Sequence, residues 1–237
     1  MIIVDDAEWL TVITQPDHAR FAAELLSLWR SDGLPEHPRR RDLLFATREH
    51  DNGWQEADSA PWIDPVTRRP HDFRSYPQEG RFEIWNRGIH RFADERPLVA
   101  LLIAEHAEAI HQPLSEEWQL FLEKLEPHRQ IWLEKAGVDR RTICQDYSFL
   151  GLADTLSLAL CTGERGHLEY PGGRALIESD VLRLDPCPLA GTTTFQIPIR
   201  RIARRPYDSD TQIGATLARA RWQHWQVKVG ADSRTDA

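Results

Sequence analysis

Cysteine is scarce: three residues in 237, Cys144, Cys161 and Cys187, with no CxxC spacing among them. An odd count leaves at least one thiol unpaired within a chain, so neither a disulfide framework nor a cysteine-based zinc site organises the fold. Such usage suits a reducing compartment better than a secreted setting. Long apolar runs are also missing, and none approaches the roughly 18 residues that a membrane-spanning helix needs. The opening "MIIVDDAEWL" carries acids where a secretory signal has lysine or arginine. The expectation is a cytoplasmic protein without a membrane partner. Positive charge is short as well, because 29 Lys and Arg against 37 Asp and Glu leave a formal net charge of -8. Nucleic-acid affinity draws on counterion release by clustered cations, so no nucleic-acid partner is expected. The one compact basic run, Arg39 to Arg41, sits where a helix begins. No GxxxxGK, GxSxG or GxGxxG occurs, which removes the signatures of phosphate-cradling loops, nucleophile elbows and dinucleotide sites.

What is present is apolar bulk, 41% of residues with nine tryptophans, enough to fill a substantial core. "MIIVDDAEWLTVIT" reads as a hairpin around an acidic turn. Thr14 then caps a helix with Pro16 in its first turn, and the stripe Phe21, Ala22, Leu25, Leu28, Trp29 extends back to His18. A second helix over 39–51 places Leu43, Leu44 and Thr47 on the side that His50 and Asp51 continue, with Gly53 as its stop. Residues 52–96 show little periodicity but many aromatics, which fits an ordered cover. The run "PLVALLIAEHAEAIH" gives a helix whose stripe includes His106. A long helix capped by Ser115 follows, then "QDYSFLGLADTLSLALC", apolar on nearly every side with Asp154 in its middle. From about 165 the texture turns to short β-like runs, one further helix at "TQIGATLARARWQHW" and a closing strand or tail. The expected fold class is mainly α (α+β). A helical core over 14–162 and a β-rich extension over 163–237 form one domain, with a small antiparallel sheet made by the N-terminal hairpin and the C-terminal strands.

A carboxylate among leucines is costly unless paired, so Asp154 needs partners. His18, His50 and Asp51 are the inward-facing candidates. Imidazole nitrogens and carboxylate oxygens around one divalent cation turn mutual cost into coordination. At a helix end, neighbours about 100° apart converge if the backbone turns away. Read singly, His18 is equally well a core histidine and Asp51 a turn residue before "NG"; it is the combination that points to metal.

The order His18, then His50–Asp51, then Asp154 on a late apolar helix resembles the H…HD…D signature of the HD-domain superfamily of metal-dependent phosphohydrolases. The whole chain, with "ITQPDHARFA", "EHDNGW" and "GLADTLSL", is also similar to a group of uncharacterised bacterial domains carrying this arrangement. The resemblance implies an HD-like helical core with His18, His50, Asp51 and Asp154 as ligands of a divalent transition metal (Mn, Fe, Zn or Ni; one or two ions). It also implies hydrolysis of a small phosphorylated or nucleotide-like substrate. His106 is the candidate fifth ligand, with His111 or His128 beside it in a two-metal version, and Asp51 and Arg48 are the residues placed at the chemistry. Arg68 and Arg69 are further candidates to clamp phosphate. A diiron oxygenase and a metal-free binding or interaction module stand as rival readings, and self-association into a homo-oligomer stays open.

Overall fold

The structure, a computed structural model, describes residues 1–231. Strands β1 (Ile2–Asp5) and β2 (Trp9–Ile13) form the opening hairpin, its turn held by the Asp6 carboxylate, which accepts from the N–H groups of Glu8 and Trp9 at 2.9 and 2.7 Å. Helix α1 (Gln15–Ser27) is capped by Thr14, whose hydroxyl accepts the Asp17 N–H at 3.1 Å. Helix α2 (Arg40–Glu49) stops before residue 51, so that His50 and Asp51 come off its end into a 3-10 turn, Asn52–Trp54. There follow α3 (Gln55–Ser59), α4 (Gln78–His90), α5 (Pro97–Ile110), α6 (Glu116–Ala136) and α7 (Arg140–Cys161). Ser115 and Asp139 cap the last two, and Gly137 ends α6 in the left-handed conformation, φ 64°. Helix α4 is a gain over the sequence reading. Ile84, Trp85 and Ile89 are its buried apolar side chains, but two glycines and mixed charges blur the stripe. Among the described residues, no helix is long and apolar enough to cross a membrane.

The expected mainly helical, HD-like core with a small sheet is overturned. Strands β3 (Gly166–Tyr170), β4 (Gly173–Glu178), β5 (Val181–Asp185) and β6 (Thr193–Ala203) are followed by α8 (Asp210–Arg219) and β7 (Trp222–Ala231). With β1 and β2 they build a seven-stranded, curled, mixed sheet in the order β1-β2-β6-β7-β5-β4-β3, and strand makes up 21% of the chain. The sheet is not purely antiparallel, since β5 and β7 run parallel. The physical reason lies in the C-terminal runs. β6 alternates Phe195, Ile197 and Ile199 inward along its length, and β7 pairs with both β6 and β5, so it is an interior strand and not a tail. Residues 232–237 of the expected β-rich extension lie outside the described ones.

Helices and sheet share their apolar contacts. Phe21, Leu25 and Trp29 of α1 belong to the same buried cluster as Leu182, Phe195, Ile197 and Val227 of the strands, and the Phe21 and Phe195 rings meet edge-on at 5.3 Å. A second cluster, with Leu10, Val12, Ile202, Tyr207, Ile213 and Leu217, packs α8 against the hairpin end of the sheet. Helix α1 is thus fixed by β6 on one side and by α2 and α7 on the other, which positions the residues at its start.

Gly53 does not stop α2 through a left-handed turn. It lets the chain after Asp51 lie against α4: a Cβ there would stand 2.1 Å from the Ile84 carbonyl oxygen and 3.1 Å from the Gly88 Cα. Gly53→Ala should therefore lower stability by about 1–3 kcal/mol through overpacking. Gly214→Ala, in open space on α8, should raise it by about 0.5–1 kcal/mol. Urea unfolding of the two variants checks this; equal midpoints would mean that the contact between Gly53 and α4 is loose.

Candidate functional site

Four helices deliver one group each, or a pair, to a common buried point. His18 comes from the start of α1, His50 and Asp51 from the end of α2, His106 from α5 and Asp154 from the middle of α7. All five are buried. The Nε2 atom of His18 lies 3.0 Å from Asp51 Oδ2 and 3.4 Å from Asp154 Oδ1. The Nε2 atom of His50 lies 3.4 and 3.2 Å from the same two oxygens. His106 stands further out, with Nε2 4.0 Å from Asp154 Oδ2, and its ring meets that of His50 at 4.7 Å. Two overlapping groups, His18–His50–Asp51 and His50–His106–Asp154, have the spacing to hold a metal ion.

The opposite nitrogen of each ring is already committed. His50 Nδ1 donates to the Thr47 carbonyl at 2.7 Å, since a carbonyl only accepts. Ser157 gives its single hydroxyl hydrogen to the Asp154 carbonyl at 3.1 Å and therefore accepts from His18 Nδ1 at 2.9 Å. His106 Nδ1 meets the Tyr147 hydroxyl at 3.2 Å. A neutral His18 or His50 so held turns a bare lone pair toward carboxylate oxygens that are themselves acceptors. His50 Nε2 has no aligned hydrogen-bond partner despite its short distances, and is buried. Two carboxylates facing these lone pairs require two protons or one divalent cation between them. Rings anchored through Nδ1 to a carbonyl or hydroxyl are also how metal-ligating histidines are oriented.

Electrostatics agree with that count. Burial opposes the charge on His50, but Asp51 and Asp154 outweigh it and lift its pKa well above 6.5. Burial likewise raises Asp51, yet His50 and His18 hold it well below the usual carboxylate range. Asp154 is raised by burial and, on balance, lowered by the histidines around it. His106, further from the carboxylates, is pushed down by burial to about 4 and stays neutral.

A cavity of about 360 Å³ opens on one side of the cluster, reached by His18, Asp51, His106 and Asp154, with His50 behind them. Trp54, Phe73 and Trp85 give it an aromatic wall, and Arg74, Arg81 and His111 line it. Not every expected residue arrives here. Arg48 is 58% exposed, pairs with Glu49 at 3.5 Å and lines a separate cavity. Arg68 binds Asp208 and the Tyr207 carbonyl, and Arg69 binds Asp5, and neither lines the cavity. His128 packs on His90 and Trp132. Sequence reasoning does not single out Ser157, Gln15 or Arg81, and it offers Tyr147 as a hydrogen-bond partner of Asp154, whereas the Tyr147 hydroxyl meets His106. Ser157 lies three residues after Asp154 and Tyr147 seven before it, so helical spacing from Asp154 points to both.

With that geometry in hand, the comparisons add a family. Residues 1–203 match the family described as a protein of unknown function, DUF3891. The chain belongs to this family. Nothing matches among curated proteins or among solved structures. Every residue of the site falls within the DUF3891 match, and the likeness to HD-domain enzymes rests on ligand order alone.

In metal-free protein the network has a calculable pH signature. His50, raised in the fold, contributes stability that is fully present below its ordinary value of 6.5 and is lost as pH rises through the elevated one. Asp51 and Asp154, lowered in the fold, contribute above 3.8 and lose that contribution as pH falls through their depressed values. Chelator-treated protein should therefore show a stability plateau between these values and a decline above it, read as urea midpoints across pH. A profile still flat into the alkaline range would show that His50 carries no proton.

Proposed function

We propose that the His–Asp cluster holds one divalent transition metal ion (Mn, Fe, Zn or Ni) and that the protein hydrolyses a small phosphorylated or nucleotide-like compound there. The supporting observation is the nitrogen count: two imidazoles with their Nδ1 hydrogens spent on Thr47 and Ser157 face two buried carboxylates, an arrangement that asks for positive charge at its centre. The donor set of imidazole nitrogens and carboxylate oxygens suits these metals. An ion bound there supplies a water acidified toward neutrality and a Lewis acid for a phosphoryl oxygen.

The protein's own residues do the rest. His18, His50, Asp51 and Asp154 would hold the ion, with His106 as a fifth donor, while Thr47, Ser157 and Tyr147 keep the rings aimed. The cavity side is left open for substrate, as catalytic sites require. Trp54 and Trp85 limit the water that reaches it. The order of the ligands along the chain, which resembles that of metal-dependent phosphohydrolases, supports the same reading.

One ion is favoured over two. His50 has a single free nitrogen because Thr47 occupies the other, so the two overlapping groups that share His50 compete for it and describe one centre. This weighs against the diiron oxygenase.

Elemental analysis should find about one equivalent of a transition metal in wild-type protein and none in Asp51→Ala of unchanged circular dichroism. Ser157→Ala, which only frees the His18 ring, should weaken metal binding roughly 10–100-fold. Hydrolysis of p-nitrophenyl phosphate should fall with metal content. Wild-type protein that neither carries nor takes up Mn, Fe, Zn or Ni would overturn the reading in favour of a metal-free binding module, and two irons per chain would favour the oxygenase.

A further inference from the structure

Of the two arginines on the wall of the metal-site cavity, one is already answered and one is not. Arg74 pairs with Asp72 at 2.9 Å. Arg81, in the first turn of α4, donates Nε to the Tyr76 carbonyl at 2.9 Å and Nη2 to the Arg74 carbonyl, both neutral acceptors. Among the described residues no carboxylate lies within ion-pair distance of Arg81, and its Nη1 has no protein partner. Its surroundings are built to hold it. Tyr76 stacks on Trp62 at 5.4 Å and meets Trp54 edge-on at 5.4 Å. Gly80 lets that ring sit against α4, since a Cβ there would stand 2.6 Å from it. A guanidinium fixed by backbone carbonyls, with burial working against its charge and only the more distant field of Asp72, already paired with Arg74, in its favour, is an anion site waiting for its partner.

Charge bookkeeping sharpens this. A divalent ion would balance Asp51 and Asp154, and Asp72 balances Arg74, so the cavity keeps the one positive charge of Arg81. The remaining lining offers apolar area from Phe73, Trp54 and Trp85 and two acceptors. Gln15 Oε1 is buried without a partner. His111 spends its Nδ1 hydrogen on the Ala107 carbonyl at 2.6 Å, which leaves Nε2 as an acceptor.

We infer that Arg81 anchors the phosphate of a monoester whose body carries hydroxyl or amine donors for Gln15 and His111 and packs against Trp54 and Trp85. This deepens the hydrolase reading and rests on it for the reacting centre, but the anchor can fail or stand separately.

The test is calorimetric titration of inorganic phosphate into the full chain, with metal content recorded for each preparation. R81Q should bind phosphate at least about 10-fold more weakly with unchanged metal content, whereas R74Q, whose guanidinium is already neutralised, should stay within about 2-fold. R81K keeps the charge but loses the planar fork, and should fall between them. It carries the test if R81Q fails its circular dichroism control. Glycerol phosphate should bind more tightly than ethyl phosphate, and Gln15→Leu should erase the preference. Wild-type affinity in R81Q or in R81K, or no phosphate binding by wild type at millimolar concentration, overturns the anchor. Equal affinity for the two esters overturns the assignment of the body. Arg81-dependent phosphate binding by protein that takes up no metal would sink the hydrolase and leave the anchor standing.

Discussion

Two carboxylates buried beside imidazole lone pairs are the constraint on which this molecule turns. An ionised carboxylate taken out of water costs several kcal/mol even after relaxation, and Asp51 and Asp154 are both held ionised in one pit. The Nδ1 contacts of His18 and His50 remove the option of swinging a ring hydrogen toward them. Positive charge has to be delivered, as protons or as a cation. Where His50 sits helps: it closes the C-terminal end of α2, where unpaired carbonyls favour a cation.

The fold exists around that pit in a way a freestanding helical bundle would not need. His18 stands one turn into α1, and α1 is wedged between β6 and the helices α2 and α7. The Phe21–Phe195 contact sets the depth of α1 against the sheet, so strands remote in sequence from any ligand fix the position of the first one. Gly53 performs the matching task on the other side. By allowing close contact with α4, it lets the chain turn after Asp51 and brings the aromatic segment over the cavity.

The legible part of the sequence was local. Thr14 and Ser115 mark helix starts through chemistry confined to a few residues, and the stripes of α1 and α5 carry His18 and His106 inward by periodicity alone. What escaped was non-local. The parallel pairing of β5 with β7 joins segments separated by β6 and α8, and no residue pattern within either strand records it. Helix α4 escaped because its glycines serve contacts elsewhere, Gly80 with Tyr76 and Gly88 with Gly53, at the expense of a clean stripe. Arg48 is near His50 in sequence but not in space. On a helix, residues two apart point about 200° from each other, so an inward His50 leaves Arg48 facing out. Arg81 could not be found this way, since what distinguishes it is the lack of an acid opposite it.

On the metal-site reading, protons and metal are competing occupants of the same pit. A ligand that binds the folded chain stabilises it by mass action, and metal uptake by histidines has to displace whatever protons they hold. On the metal-site reading, acidity and metal availability therefore act on one equilibrium. His106, neutral because burial outweighs the more distant Asp154, stands apart from it as a donor that needs no deprotonation. The histidine at the cavity edge is thus ready as found, whereas His50, deepest behind the opening, is the one whose proton must leave before a cation can settle.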